Sequence, residues 1–203
     1  MEEMLGCMEH GEASEGGEAL GLKRKVHEQV VRYLRIEGNP TEADPDYKEV
    51  NINHLVFSII SPILEQFALT TTENVRLQSQ KEIVSTDGKT GDTQEVVFVD
   101  RTTYKKEKFI LVVESKRSSL GQALKQCLLA LKGTRDNNGD GKVYGFLTTG
   151  TLLQMVEYDG GSFRLTEKMI ALFGRTDEGE ARWMRKYSTI VDCLKFALDN
   201  GGR

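Results

Sequence analysis

Two charged residues close a strongly apolar stretch of this chain. Residues 109–113 (FILVV) are apolar and mostly β-branched, which predicts a buried strand, and Glu114 and Lys116 follow it. Side chains two positions apart on a strand share a face, so this carboxylate and this ammonium project together. Carboxylates can hold a divalent cation, and an ammonium can neutralise an anion. A strand that has simply reached the surface would carry the same two residues as a solvated ion pair.

The residues after this pair predict a helix and then a pair of strands. Residues 118–132 open with serines suited to a helix N-cap, continue with apolar residues at helical spacing and include Gln126; Gly133 is the predicted stop. Residues 143–150 and 152–158 then predict two strands, and the Asp-Gly-Gly turn at 159–161 predicts a hairpin with residues 163–166.

This order of elements resembles the PD-(D/E)XK nuclease superfamily, which has the restriction-endonuclease-like fold. Glu114-Ser115-Lys116 matches the E-x-K element, and Gln126 stands where many members carry a helical Gln. The strand pair beginning VYGFLTTG is similar to that of the fungal and Crinkler-effector-like branches. The resemblance covers residues 46–166. It implies hydrolysis of phosphodiester bonds in DNA or RNA, with Mg²⁺ or Mn²⁺ as the cofactor.

The resemblance also implies roles for individual residues. Glu114 would be a metal ligand and Lys116 the charged catalytic residue. Gln126 would orient Lys116 or contact the backbone. Glu65, in the helical region that precedes the strands, would be the helix acid that many members place near the metal.

The acid of the second strand departs from the family pattern. Glu95 stands where members usually carry an Asp, and its side chain is one methylene longer. The register of the hairpin decides whether it can meet Glu114. If paired positions sum to an odd number such as 209, Glu95 lies opposite Glu114; if the sum is even, Asp92 shares that face instead. We favour Glu95, with Asp92 as the alternative ligand.

The rest of the sequence predicts one α/β domain with a mixed central sheet flanked by helices, as in a restriction-endonuclease-like core. Residues 1–20 carry six Glu and no Lys or Arg, which predicts a disordered acidic tail before a single domain at 21–203. The further predicted elements are helices at 22–34, 47–69 (which Pro62 kinks or divides) and 178–199, and strands at 74–84 and 95–101.

Composition narrows the setting of the protein. The apolar stretches fall short of the ~20 residues of a membrane span, and the N-terminus lacks the pattern of a secretory signal. The three cysteines are far apart and lack metal-ligand spacing, which is typical of free thiols in a reducing cell. We therefore expect an intracellular protein, nuclear or cytoplasmic, with nucleic acid as partner and no membrane association. The oligomeric state is not predicted.

Two functions remain open from the sequence. One is a metal-dependent nuclease, which the retained Glu114, Lys116 and Gln126 favour. The other is a catalytically degenerate member of the same fold that binds nucleic acid or protein. The Glu at position 95 and the modest charge of the chain favour this second hypothesis.

Overall fold

The computed structural model describes residues 16–40, 46–71, 75–84, 91–103, 106–117, 119–172 and 179–201, with backbone alone for 79–84, 91–103 and 106–108. Most of the predicted acidic tail lies outside these residues.

The described residues form five helices and seven strands. In chain order these are α1 (Gly17–Glu37), α2 (Glu49–Thr70), β1 (Val75–Val84), β2 (Gly91–Thr103), β3 (Lys106–Ser115), α3 (Leu120–Asn138), β4 (Val143–Thr148), β5 (Leu152–Tyr158), β6 (Phe163–Leu165), β7 (Met169–Ile170), α4 (Glu180–Lys186) and α5 (Thr189–Asn200).

One mixed sheet organises the molecule. Its strand order is β1-β2-β3-β4-β5-β6, and β7 also pairs with β5. The β3–β4 pair is parallel, with α3 as the crossover, whereas the other pairs are antiparallel. A large apolar cluster joins one face of the sheet to α1, α2, α4 and α5, and a smaller cluster joins the other face to α3. The predictions of an α/β fold, a mixed sheet and an antiparallel β2–β3 pair are confirmed.

A bulge in β3 separates the candidate site from the β2–β3 turn. Phe98 pairs with Leu111, but the next residue, Val99, pairs with Phe109, so Ile110 is an extra residue on β3. Both Ile110 and Leu111 are buried in the larger cluster, while Phe109 packs under α3. Paired positions sum to 209 beside the turn, to 208 at Asp100 and Val99, and to 209 again from Phe98 towards Glu114, so two irregularities cancel along the hairpin.

Helix α3 is fastened to β3 at its far end. The Asn138 side chain donates to Phe109 O at 2.7 Å and accepts from Phe109 N at 2.8 Å. The helix then ends at Gly139, which has the left-handed φ of 80°. The predicted stop at Gly133 is therefore wrong. Gly133 is a buried residue inside the helix, which continues far enough to bring Asn138 to the strand.

Close packing fixes α3 over β4. A Cβ placed on Gly145 would overlap Cys127 Sγ and would lie 3.2 Å from a methyl carbon of Leu131. A glycine at this position of β4 thus allows the helix to approach the sheet. The approach brings the first turns of α3 close to the end of β3 and to Glu114.

Several predicted boundaries were wrong in the helical layer. Residues 17–20 belong to α1 rather than to a tail, and Glu18 accepts a hydrogen bond from Gln66 of α2 at 2.8 Å. Pro62 lies buried inside α2 and does not divide it, because both halves of the helix pack on the core and outweigh one lost hydrogen bond. The closing helix breaks at residues 187–188 into α4 and α5.

Helix α2 is also long and apolar enough to cross a membrane, the one such helix among the described residues. Nearly half of the relevant window, 44%, is buried inside the protein. Core helices of globular domains pass the same test of length and composition, so this feature is weak evidence for a membrane span.

Candidate functional site

A buried carboxylate and an ammonium meet at the end of β3. Glu114 is 4% exposed, and its Oε1 lies 3.1 Å from the Lys116 Nζ. The main chain holds both residues in place, since Glu114 pairs with Leu147 of β4 and Lys116 N donates to Thr148 O at 2.9 Å. The side chains of Glu114 and Lys116 project to a common site, as predicted.

The first turn of α2 adds a second acid to this site. Glu49 Oε2 lies 3.5 Å from the Lys116 Nζ, so two carboxylates share one ammonium. One turn further along α2, Asn53 Oδ1 accepts a hydrogen bond of 2.6 Å from the Ser115 hydroxyl. Sequence reasoning missed Glu49. The available signal was an acid in the first turn of a strongly apolar helix, but nothing in the sequence showed that this turn would meet β3.

Glu65 does not take the role of helix acid. It lies sixteen residues after Glu49 on the same helix, which corresponds to about 24 Å along the axis. Its side chain is exposed. The predicted contribution of Glu65 is therefore corrected: α2 reaches the site through its N-terminal turn, because that end of the helix packs against the end of β3.

The register of the β2–β3 pair favours Glu95 over Asp92. Val96 pairs with Val113 and Val97 with Val112, which is the odd sum of 209. One further step sets position 95 directly across from Glu114, and opposed positions of an antiparallel pair share a face. Asp92 pairs with Ile83 of β1 and lies three positions from Glu95, which is the other face of the strand. The structure describes only the backbone of both residues, so the metal-binding role of Glu95 stays a prediction.

Gln126 lies on α3, one residue before Cys127. Its Oε1 is shielded from solvent and has no hydrogen-bond partner among the described residues. The next residue, Cys127, is fully buried; burial raises the pKa of its thiol, and the nearby Glu114 carboxylate raises it further. That influence places this part of α3 beside Glu114. The Gln126 amide oxygen does not accept from the Lys116 ammonium, so the predicted contact between these side chains is not made through that oxygen.

The donors around the end of β3 are oxygens. The Glu114 and Glu49 carboxylates and the unpartnered Gln126 amide oxygen are of the kind that Mg²⁺ and Mn²⁺ prefer. Among the residues whose side chains are described, no three His, Cys, Asp or Glu side chains gather closely enough to hold a metal ion. The side chain of residue 95 is outside that set. The residues present thus fit a hard divalent cation in donor type.

No protein-family model, curated protein or solved structure matches this chain. The chemistry of the site is therefore judged from its own geometry.

Proposed function

We propose that this protein is a metal-dependent nuclease of the PD-(D/E)XK type, built on a restriction-endonuclease-like core. The observation that supports it most directly is the buried Glu114 carboxylate 3.1 Å from the Lys116 ammonium at the end of a central strand. The β2–β3 register, continued by one step from Val96 and Val113, supports Glu95 as the second acid of the proposed site. The proposed cofactor is Mg²⁺ or Mn²⁺, and the proposed substrate is DNA or RNA inside the cell.

Each residue of the proposed site would have a distinct role. Glu114, Glu95 and the open oxygen of Gln126 would hold the cation, which when bound supplies charge neutralisation at the phosphate and a more acidic water. Lys116 would stabilise negative charge that develops on the phosphate. Glu49 would position Lys116, because its carboxylate would remain paired with the ammonium when Glu114 binds the cation.

The test is a nuclease assay on single- and double-stranded DNA and RNA with Mg²⁺ or Mn²⁺. Lys116→Ala should lower the rate on the order of 100-fold, because one electrostatic stabiliser is lost. Lys142→Ala is the matched control, since Lys142 also pairs with a buried acid, Glu157, but lies outside the proposed site, directly before β4. Equal activity in wild type and Lys116→Ala would refute the assignment.

The second candidate is a degenerate domain of the same fold that binds nucleic acid or protein without hydrolysis. It is favoured by the arrangement of Lys116, whose ammonium is already engaged by two carboxylates, and by the longer acid at position 95. Titration calorimetry with Mn²⁺ separates the candidates. A nuclease site should bind the ion, whereas a degenerate site should give no heat of binding.

A further inference from the structure

An open groove runs along the flank of α3 that faces the β6 edge of the sheet. It has a volume of about 390 Å³ and lies between the helix and β6. Its lining is mostly apolar, with two lysines: Gly121, Leu124, Lys125, Leu128, Leu129, Lys132 and Phe163. Leu129 is 44% exposed, and Leu165 on β6 is 41% exposed. Water therefore meets a continuous apolar floor on this face.

The charged residues that line the groove are both lysines, so its charge is positive. Residues 120–135 contain Lys125, Lys132 and Arg135 but no Asp or Glu. Arg135 is paired with Asp140 at 3.3 Å, whereas Lys132 lies with its Nζ 5.9 Å from the centre of the Phe163 ring. An apolar floor with a lysine rim is complementary to a segment that combines apolar and acidic side chains.

Bases of a nucleic acid fit this groove less well. Phe163 is its single aromatic residue, and one face of that ring is stacked on Tyr158 at 4.3 Å between centroids. The ammonium of Lys132 lies near the same ring. The remaining floor is leucine, which offers no stacking surface of the kind that single-stranded nucleic acids use.

The chain itself carries a segment of the required chemistry. Residues 1–15 contain five Glu and no Lys or Arg, and the apolar residues Met1, Met4, Leu5 and Met8 recur at spacings of three to four. We propose that residues 1–15 bind in the groove along α3 of the same molecule, with their carboxylates at Lys125 and Lys132. The bound segment would cover the cationic, apolar face of this helix.

The length of the segment permits this placement. The described chain begins at Gly16, beside the end of α2 and on the opposite face of the sheet from α3. Fifteen residues span at most about 50 Å when extended. A domain of this size has a radius of gyration of about 16 Å, so the segment can pass round an edge of the sheet.

The experiment uses the full chain and its own cysteine. Cys127 and Cys193 are fully buried, so a maleimide reagent carrying a photo-crosslinker is directed to Cys7. After illumination, mass spectrometry should find most cross-links on α3 and β6. The double substitution Lys125→Glu/Lys132→Glu should reduce them at least fivefold, and raising the salt from 0.05 to 0.5 M should reduce them in the unsubstituted protein.

The matched control is Lys25→Glu/Lys186→Glu, which makes the same change of charge at two exposed lysines outside the groove. It should leave the cross-links unchanged. Cross-links spread evenly over the surface, or equal in both double variants, would overturn the proposal. Cross-links between isotopically heavy and light chains in a mixture would assign the groove to a second copy instead. Protection of the groove by a 20-nucleotide poly-dT, with no cross-links there, would assign it to nucleic acid.

Discussion

Glu114 and Glu157 are both carboxylates buried in the same sheet, but the ion pairs that the described residues form with them differ. At Glu114, two acids share the Lys116 ammonium. At Glu157, one acid receives two cations, with Arg164 Nη1 at 2.7 Å and Lys142 Nζ at 3.5 Å. The Tyr144 hydroxyl also donates to Glu157 at 3.3 Å.

We interpret the Glu157 cluster as structural and the Glu114 cluster as the candidate site. Glu157 and Arg164 are paired positions of β5 and β6, so this ion pair lies directly across two strands that it helps to hold together. Its charge is already compensated. At Glu114 the described ion pairs are two carboxylates on one ammonium, and a bound cation would add positive charge beside both acids. On the ion pairs of the described residues, a bound cation has a clearer role at the Glu114 cluster than at the Glu157 cluster.

The largest expected difference between the clusters is in Mn²⁺ affinity. Glu114→Gln should weaken binding on the order of 100-fold or more, since even residues that support a ligand contribute 10- to 100-fold. Glu157→Gln should leave the affinity unchanged. Calorimetry of both variants and the wild type measures this. A loss of affinity in Glu157→Gln alone would reverse the comparison.

Stability should respond in the opposite order. Glu157→Gln removes the buried acid that pairs with Lys142 and leaves Arg164 with Asp159 alone, so it should lower the free energy of unfolding by about 1–3 kcal/mol. Glu114→Gln should cost less than half as much, because it also removes repulsion from Glu49. Urea unfolding of the metal-free variants gives both values. A larger loss in Glu114→Gln would show that this carboxylate is mainly structural.

The register of β2 predicts which of its two acids, Glu95 or Asp92, binds Mn²⁺ together with Glu114. Glu95→Gln should weaken Mn²⁺ binding by about tenfold, or about 1.4 kcal/mol. Asp92→Asn should have no effect, because that position belongs to the other face of the strand. Both substitutions remove one negative charge from the same strand, so each serves as the control for the other. The reverse result would transfer the role to Asp92.

The smallest effect is expected at Asp159, which extends the cation-balanced cluster through Arg164 at 3.3 Å. Hydrogen bonds from the backbone N–H groups of Ser162 and Gly161 are the main cause that lowers the pKa of Asp159 from 3.8 to about 2. A lowered pKa in the folded state means that the ionised group stabilises the fold above pH ~4, the range of an unperturbed Asp, and loses this contribution as the pH falls towards 2. Asp159→Asn should remove that part of the acid dependence. NMR titration of the carboxyl group checks the value; a normal pKa would contradict it.

The strand, helix and turn around the site could be predicted from local sequence patterns. The apolar run before Glu114, the helical periodicity after the serines and the Asp-Gly-Gly turn each depend on neighbours a few residues apart, and each formed as predicted, apart from the end of α3. The common projection of Glu114 and Lys116 follows from the two-residue period of a strand, which does not depend on the rest of the fold.

Tertiary structure decided which distant residues join them. Glu49 reaches Lys116, and Glu65 does not, because the N-terminal turn of α2 packs at the end of β3. Between the turn and Glu114 the hairpin register shifts by one residue and then shifts back, so the choice between Glu95 and Asp92 depended on two irregularities that the sequence of the turn does not show. α3 extends past Gly133 because Asn138 bonds a strand 29 residues away in sequence. Contacts between residues far apart in the chain are set by how whole elements pack, and the pattern of a single element does not contain that information.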